Sequence, residues 1–329
     1  MGGFKMIIEK YRQADFYVTG KDHLSRKIEC QDRTFYYKEN GVHVLTLSDG
    51  AGSRSKSQFG AEIVTEYAAK YVAKNFIDLL ILSEKRGKDQ QLVDRDLLKI
   101  KTDFLTYLTE MLNAFCLKTE GVQINDLACT LELYAFKDNK YFAIHIGDGV
   151  IGLLKSDITG ETLKVLSHPE NGGAPNITFF ITDNNAIEHL RVYSGEMNNI
   201  KGIILMSDGP EEALYQKDNG LSSNVKILFD GFSGNTQQDY CNFLEKLLTD
   251  KIAQISYDDL SINLIYKDSF DTNSDYKKEY LNELLDGIAD NQILPQSDYC
   301  VLIDDAIESD GKVKDEATRL KDLQRKYDR

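Results

Sequence analysis

The sequence predicts an α+β fold in which helices cover the outside of antiparallel β-sheets. Short alternating apolar segments are joined by tight polar turns, such as residues 137–140. This pattern is typical of hairpins rather than of parallel strands linked by helices. Two long segments with helical periodicity, residues 57–76 and 94–118, are inserted after the first of these strands. At 329 residues the chain is long enough to bury the core of one large domain.

Strands are predicted where β-branched and aromatic residues alternate with polar ones and a turn sequence follows. The segments VHVLTLS and KGIILMS, for example, each run directly into Asp-Gly. The predicted strands are residues 42–48, 127–136, 141–146, 150–155, 161–166, 201–207 and 260–266. Consecutive strands that are joined by a short turn are expected to pair as hairpins.

Three helices are predicted from apolar residues that recur every three or four positions. The first covers residues 57–76, with Val64 and Tyr67 on its apolar face. The second covers residues 94–118 and carries a longer stripe of Leu and Phe, and the third covers residues 236–248. Because one face of each long helix is apolar, we expect that face to pack against a sheet.

The charge of the chain is strongly negative. There are 53 acidic and 39 basic side chains, a formal net charge of -14. An acidic chain is a poor partner for nucleic acid or for an anionic membrane, so neither is expected as a ligand. Half of the excess lies in residues 268–329, which hold 16 acidic and 9 basic residues. We therefore predict one main domain over residues 1–267 and an acidic, then mixed-charge, helical extension over residues 268–329.

The cysteines and the apolar runs favour a cytoplasmic protein. The five Cys residues are widely spaced and form no CxxC motif, which is typical of reduced thiols. No apolar run of signal length lies near the start, and none approaches 18 residues, so neither export nor a membrane span is expected.

Four aspartates lie at the ends of predicted strands. They are Asp49, Asp148, Asp208 and Asp258. Asp-Gly beside a strand is also an ordinary turn signature, so one such residue alone indicates little. If neighbouring strands end at the same edge of a sheet, however, the carboxylates converge, and carboxylates a few ångströms apart need cations to stay ionised.

The composition favours oxygen-ligated divalent ions at such an edge. Mg²⁺ and Mn²⁺ prefer carboxylate and carbonyl oxygens. The five His residues show no HExxH or paired spacing, which disfavours a zinc site. The sequence also lacks the GxxxxGK[ST] phosphate loop and the GxSxG nucleophile elbow, which disfavours a nucleotide kinase and a serine hydrolase.

These motifs resemble those of a known family. In this order and spacing, they are similar to the motifs of metal-dependent Ser/Thr phosphatases of the protein phosphatase 2C family. The matching motifs are Ser48-Asp49-Gly50-Ala51-Gly52, Gly147-Asp148-Gly149, Ser207-Asp208-Gly209 and Asp258-Asp259-Leu260-Ser261. Residues 20–32 and 175–182 are similar to segments of its bacterial branch, and the resemblance covers residues 20–267. It implies two packed antiparallel sheets flanked by helices, an α-β-β-α sandwich, with metal ions at one edge.

The resemblance also implies a set of metal ligands. Asp49 would bridge two Mn²⁺ or Mg²⁺ ions, and the Gly50 carbonyl would complete the shell of one of them. Asp208 and Asp258 would hold the other ion. Asp49 and Asp208 are therefore predicted to be essential for catalysis.

Further residues receive roles from the same resemblance. Asp32 would act through a metal-bound water, and Asp148 would help to hold a weaker third ion. Lys27 lies five residues before Asp32, where the family often places a phosphate-binding Arg, and it is predicted to be catalytic as a phosphate contact. His23 is a second candidate contact to the substrate phosphate.

The chain departs from the family pattern at three places. Many members have His where this chain has Ala51, and that His serves as a proton donor to the leaving group. Either a water, or another residue such as His23 or Lys27, replaces it, or turnover is slow. Lys27 cannot make the bidentate contact of an Arg. Asp148 is followed by Gly149 and Val150 rather than by Ser-Arg.

The function implied by the resemblance is hydrolysis of phosphoserine and phosphothreonine on proteins. A metal-activated water would attack phosphorus with no covalent intermediate. The implied partners are a phosphoprotein and a cognate Ser/Thr kinase. The alternative is a phosphatase-fold protein that binds or senses a partner with little or no catalysis, and the residues at positions 27 and 51 motivate it.

Overall fold

A computed structural model describes residues 7–84, 90–172, 178–232, 235–254 and 256–271. The chain divides into two compact units, residues 11–268 and residues 1–10 with 269–329. In the second unit only residues 7–10 and 269–271 are described, and they are strand. The predicted helical extension therefore lies almost wholly outside the described residues. The larger unit is residues 11–268.

Two five-stranded sheets form the centre of this unit. In chain order the strands are β1 (Ile7–Val18), β2 (Arg33–Glu39), β3 (Val42–Ser48), β4 (Leu131–Lys137), β5 (Lys140–Ile146), β6 (Val150–Asp157), β7 (Gly160–Ser167), β8 (Arg191–Glu196), β9 (Ile200–Met206), β10 (Tyr215–Gln216), β11 (Gly220–Leu221) and β12 (Leu260–Asp271). One sheet has the order β2-β3-β4-β5-β8 and the other β1-β12-β9-β6-β7. Every strand pair whose register is described is antiparallel.

Helices flank both sheets. They are α1 (Lys21–Arg26), α2 (Ser57–Glu84), α3 (Gln90–Lys118), α4 (Ala186–His189), α5 (Glu211–Leu214), α6 (Asn224–Asp230) and α7 (Gln237–Asp250). Short 3₁₀ turns occur at Ile124–Leu127 and Ile252–Gln254. Helices α2 and α3 are the two predicted long helices. Helix α2 continues past residue 76 because Leu79 and Leu80 extend its buried face.

The core has three layers. The layer between α2, α3 and the first sheet includes Val64, Phe104, Leu108, Leu133 and Ile144. The layer between the sheets includes Leu45, Tyr134, Ile151 and Leu205. The layer between the second sheet and α6 and α7 includes Ile204, Phe229, Tyr240, Leu244 and Ile262. Because successive side chains of a strand face opposite ways, β4 sends Leu133 toward the helices and Tyr134 toward the other sheet. This α-β-β-α arrangement confirms the predicted fold class.

The local structure departs from the prediction in a few places. Strand β4 begins at Leu131 rather than at residue 127, because residues 124–127 form a 3₁₀ turn. Strands β1, β2 and β8 and helix α1 were not predicted from the sequence. In β2 the neighbours Phe35, Tyr36 and Tyr37 interrupt the apolar-polar alternation that predicts a strand.

Successive strands β5 and β6 belong to different sheets. The chain passes from one sheet to the other through Gly147-Asp148-Gly149, the turn between them. The sequence pattern does not distinguish this connection from a hairpin. Its consequence is that Asp148 lies where the edges of both sheets meet.

Candidate metal centre

The strand register brings three of the predicted ligands to one edge of the second sheet. Met206, the last residue of β9, is paired with Val150 at the start of β6 and with Ile262 near the start of β12. Antiparallel pairing places the end of one strand beside the start of its neighbour. The three predicted ligands at this edge are therefore Asp148, Asp208 and Asp258. Asp258 precedes its strand instead of following one, and this same pairing explains why it still reaches the edge.

The first sheet contributes two further carboxylates in the same way. Arg33 at the start of β2 is paired with Ser48 at the end of β3. Asp32 therefore precedes one strand at the point where Asp49 follows the next. Five aspartates, from both sheets, thus lie at one side of the sandwich.

Hydrogen bonds hold the backbone of Asp49 in place. Its amide donates to Thr130 Oγ1 at 2.9 Å, and its carbonyl accepts from the Thr130 amide at 2.9 Å. Ser48 Oγ donates to the Thr130 carbonyl at 2.6 Å. The segment after β3 is therefore anchored to the segment before β4, and Asp49 has a defined position at the edge.

Glycine is required at two of the motif positions because other backbone comes too close. A Cβ on Gly50 would lie 2.8 Å from the Gln31 carbonyl oxygen, and one on Gly209 would lie 1.9 Å from the Asp259 carbonyl oxygen. Real Cβ atoms do not approach other atoms so closely. The Gly in each Asp-Gly motif therefore serves the packing of this edge as well as the turn.

The electrostatics show that the aspartates act on one another. The pKa of Asp49 is raised well above its usual range by burial, and then by the charges of Asp32, Asp208, Asp258 and Asp148. The pKa of Asp208 is raised by burial and then by Asp148, Asp258 and Asp32. Like charges this close disfavour ionisation of the whole set unless cations are present.

Asp32 is the most enclosed member of the set. Its side chain is fully buried, and burial followed by the charge of Asp259 raises its pKa to about 7. Ser261, Asp49 and Ser207 are near enough to lower this pKa, but neither carboxylate oxygen is in hydrogen-bonding geometry with a partner. A buried carboxylate without a partner is costly, and a bound cation would satisfy it.

The donor set suits a divalent cation. Oδ1 of Asp208 is also buried without a hydrogen-bond partner, as are both oxygens of Asp32. The five side chains offer oxygen only, which is the preference of Mg²⁺ and Mn²⁺. Across the described part of the chain, no three His, Cys, Asp or Glu side chains already form a group that could hold an ion. The carboxylates would therefore have to turn toward a bound ion.

Asp259 is a residue that the sequence reasoning did not assign. It is 3 % exposed, and its Oδ1 accepts the Gly20 amide at 2.7 Å. Its Oδ2 accepts the Gln31 amide at 2.6 Å and lies 2.8 Å from His23 Nδ1. Asp259 belongs to the last of the matching motifs, but the motif gave it no role. Its contacts join residues more than 200 positions apart, so the sequence pattern does not show them.

The two predicted phosphate contacts differ in their surroundings. His23 is buried and bonded to Asp259. Lys27 is exposed at the C-cap of α1, in a left-handed conformation with φ of 58°. The structure therefore gives His23 a defined orientation and leaves the Lys27 side chain at the surface.

Another buried carboxylate, which the sequence did not indicate, lies behind the edge. Glu132 of β4 is completely buried, and its pKa is raised well above the usual range by burial, then by Asp148 and Asp32. Its Oε1 lies 3.3 Å from Nε2 of His145 on β5, and burial and Arg191 lower the pKa of His145. Glu132 and His145 thus form a buried polar pair on β4 and β5.

Comparison with known sequences identifies the class of protein. A sequence profile of the family described as protein phosphatase 2C matches residues 19–249. The chain therefore belongs to the protein phosphatase 2C family, and by this membership it is a protein-serine/threonine phosphatase. Dependence on Mn²⁺ or Mg²⁺ is typical of this family.

Individual relatives agree with the family. The chain is 25% identical to serine/threonine-protein phosphatase 3 of Escherichia coli (strain K12) over 228 residues, which are 67% of this chain and 82% of that protein. The crystal structure of serine/threonine phosphatase Stp1 from Staphylococcus aureus is similar, with a TM-score of 0.51 and 15% identity over 77% of this chain and 94% of that one. A bacterial serine phosphatase structure has a TM-score of 0.50 and 14% identity over 78% of this chain and 97% of that one. The two structures bear on the fold.

Within the described residues, no helix is both long and apolar enough to cross a membrane.

Proposed function

We propose that this protein hydrolyses phosphoserine and phosphothreonine on proteins with divalent cations held at the aspartate edge. The observation that carries the proposal is the convergence of five mutually repelling aspartates from both sheets, with buried oxygens on Asp32 and Asp208 that lack partners. The proposed partners are a phosphoprotein substrate and a cognate Ser/Thr kinase.

The proposed ligand roles are those that the family resemblance implies. Asp49, whose backbone is held by hydrogen bonds, would bridge two ions, and the Gly50 carbonyl would serve one of them. Asp208 and Asp258, which flank the paired ends of β9 and β12, would hold the other. When bound, Mn²⁺ or Mg²⁺ would lower the pKa of a water molecule and neutralise charge on the phosphate.

The remaining aspartates would support this pair of ions. Asp32 is too enclosed to meet a substrate and would act through a water. Asp148, at the crossing between the sheets, would help Asp208 to hold a weaker third ion. Lys27 would attract the phosphate as an exposed point charge.

The state of the nearby thiols supports water as the nucleophile. Cys30 and Cys129 lie beside Asp32 and Gly50 in the folded chain. Burial raises the pKa of the Cys129 thiol to about 12 and also raises that of Cys30. Because thiolates are the reactive form of cysteine, these two side chains are unsuited to form a phospho-enzyme.

The proposal is tested with the purified full chain and a phosphoserine peptide. We expect phosphate release with Mn²⁺, none in EDTA, and loss of at least about 100-fold in kcat for Asp49→Asn and Asp208→Asn, since each removes a metal ligand. Asp230→Asn is the matched control, because Asp230 is exposed and pairs only with Lys226 among the described residues. Equal rates for Asp49→Asn and the wild type would contradict the proposal.

The second candidate is a binding or sensing protein with a phosphatase fold. It is favoured by Ala51, which cannot donate a proton, and by Lys27, which binds phosphate less specifically than Arg. This candidate predicts metal-dependent binding of phosphopeptides with no release of phosphate from any of them.

A further inference from the structure

The leaving group of the proposed reaction needs a proton, and residue 51 does not supply one. A serine or threonine alkoxide is a strong base, so its departure from phosphorus is slow unless an acid protonates it. Ala51 follows Asp49 and Gly50 directly, is 7 % exposed and carries only a methyl group. The inference that follows rests on the proposed function, which requires another side chain near this segment to act as the acid.

His23 is held as an oriented imidazole near this segment. Its Nδ1 lies 2.8 Å from Asp259 Oδ2, and Asp259 also accepts the Gly20 and Gln31 amides. A carboxylate is an acceptor only, so it fixes Nδ1 of His23 as the donor and sets the direction of the ring.

The opposite ring nitrogen points to the segment after Asp49. A Cβ on Gly52 would lie 3.8 Å from Nε2 of His23, so the ring adjoins the residue that follows Ala51. His23 is 5 % exposed, and among the described residues its ring is hydrogen-bonded only through Nδ1, to Asp259. Nε2 thus remains within reach of a molecule at the edge.

We propose that His23, oriented by Asp259, donates the proton to the leaving oxygen and so replaces the acid that position 51 lacks. The oxygen of a water forms a bond to phosphorus, and the bond from phosphorus to the ester oxygen breaks. The electron pair of that bond stays on the ester oxygen, which takes the proton from Nε2. The products are the free hydroxyl side chain and inorganic phosphate. The proton given up by the attacking water returns to solvent, from which Nε2 is protonated again.

Asp259 is the positioning residue in this arrangement. Its hydrogen bond to Nδ1 holds the ring in place, so that Nε2 is the nitrogen that donates. Lys27 is the rival donor, but its exposed side chain is not oriented by a comparable buried partner.

The test compares leaving groups that differ in their need for a proton. With Mn²⁺ at saturation, kcat is measured for wild type and His23→Gln on 4-nitrophenyl phosphate and phenyl phosphate, since nitrophenolate departs more readily without an acid. We expect His23→Gln to lower kcat for phenyl phosphate about 100-fold more than for 4-nitrophenyl phosphate. Asp259→Asn is expected to shift the same ratio in the same direction by a smaller factor.

Controls separate this role from the others. His168→Gln removes an exposed histidine bonded to Tyr215, and Lys27→Met removes the rival donor; neither should change the leaving-group ratio. Equal losses on both substrates, or a rise in KM alone, would overturn the role of His23 as acid. If His23→Gln does not fold, as judged by its melting curve, His23→Asn and Asp259→Asn decide by the same ratio. Absence of wild-type activity on every substrate would instead refute the proposed function.

Discussion

Single residues at the sheet edge are constrained by backbone packing as much as by chemistry. Asp49 and Asp208 are each followed by a glycine because a neighbouring carbonyl occupies the space of a Cβ. The motif Asp-Gly therefore has two causes in this protein, the carboxylate at the edge and the close backbone behind it.

Replacement of Gly50 by Ala is predicted to destabilise the protein. The new Cβ would lie 2.8 Å from the Gln31 carbonyl oxygen and 2.9 Å from Ser57, both parts of the packed structure. We expect a loss of about 1–3 kcal/mol in the free energy of unfolding, the usual cost of overpacking. Urea denaturation in EDTA measures it. Gly52→Ala is the matched control, because its Cβ would come no closer than 3.8 Å to a neighbour and should cost less than 1 kcal/mol. Equal stability of the two variants would contradict this account.

At the scale of elements, helix α7 shows how a surface helix stabilises the second sheet. Thr236 caps the start of the helix, with Oγ1 accepting the Asp239 amide at 3.1 Å. Tyr240, Leu244 and Leu248 recur at four-residue spacing and are buried against the sheet. This pattern was readable in the sequence, and the helix begins within a residue of its predicted start.

Leu244→Ala is predicted to weaken this packing. Leu244 is 1 % exposed, so its truncation removes buried apolar surface and leaves a cavity. We expect a loss of about 2–5 kcal/mol in unfolding free energy. The control is Glu245→Ala, one position along on the exposed face of α7, which should stay within about 0.5 kcal/mol of wild type. A small effect of Leu244→Ala in urea denaturation would show that α7 contributes little.

At the scale of the whole molecule, the sandwich concentrates negative charge at one edge. The pKa values of Asp32, Asp49 and Asp208 are all raised in the fold. A carboxyl group with a raised pKa binds its proton more tightly when folded. Its stabilising contribution is therefore complete below the unfolded pKa of about 3.9 and is lost as pH rises through the folded value, about 7 for Asp32.

Mn²⁺ is therefore predicted to stabilise the protein more at pH 7.5 than at pH 5.5. Protons and cations compete for the same carboxylates, and a ligand that binds only the folded state stabilises it by RT ln(1+[L]/Kd). The measurement is the melting temperature over a Mn²⁺ titration at both pH values. Asp49→Asn should show a much smaller shift at pH 7.5, whereas Asp230→Asn should match wild type. An equal shift at both pH values would contradict carboxylate ligation.

The sequence indicates the carboxylates of the proposed site but not their surroundings. Asp49, Asp148 and Asp208 could be predicted because each stands beside Gly at the end of an apolar strand, a local pattern. Glu132 and Asp259 could not be assigned, since Glu132 reads as one residue of a strand and the contacts of Asp259 reach to Gly20 and Gln31.

The sequence by itself determined the class of fold, the two long helices and the aspartates at the edge. These features depend on the periodicity of apolar residues and on neighbours within a few positions, because local backbone geometry determines which side chains share a face. Only the tertiary structure decided that β5 and β6 lie in different sheets, that the charges of four other aspartates act on Asp49, and that Asp259 orients His23. The physical reason is that burial and charge repulsion depend on distances between segments that are remote in the chain.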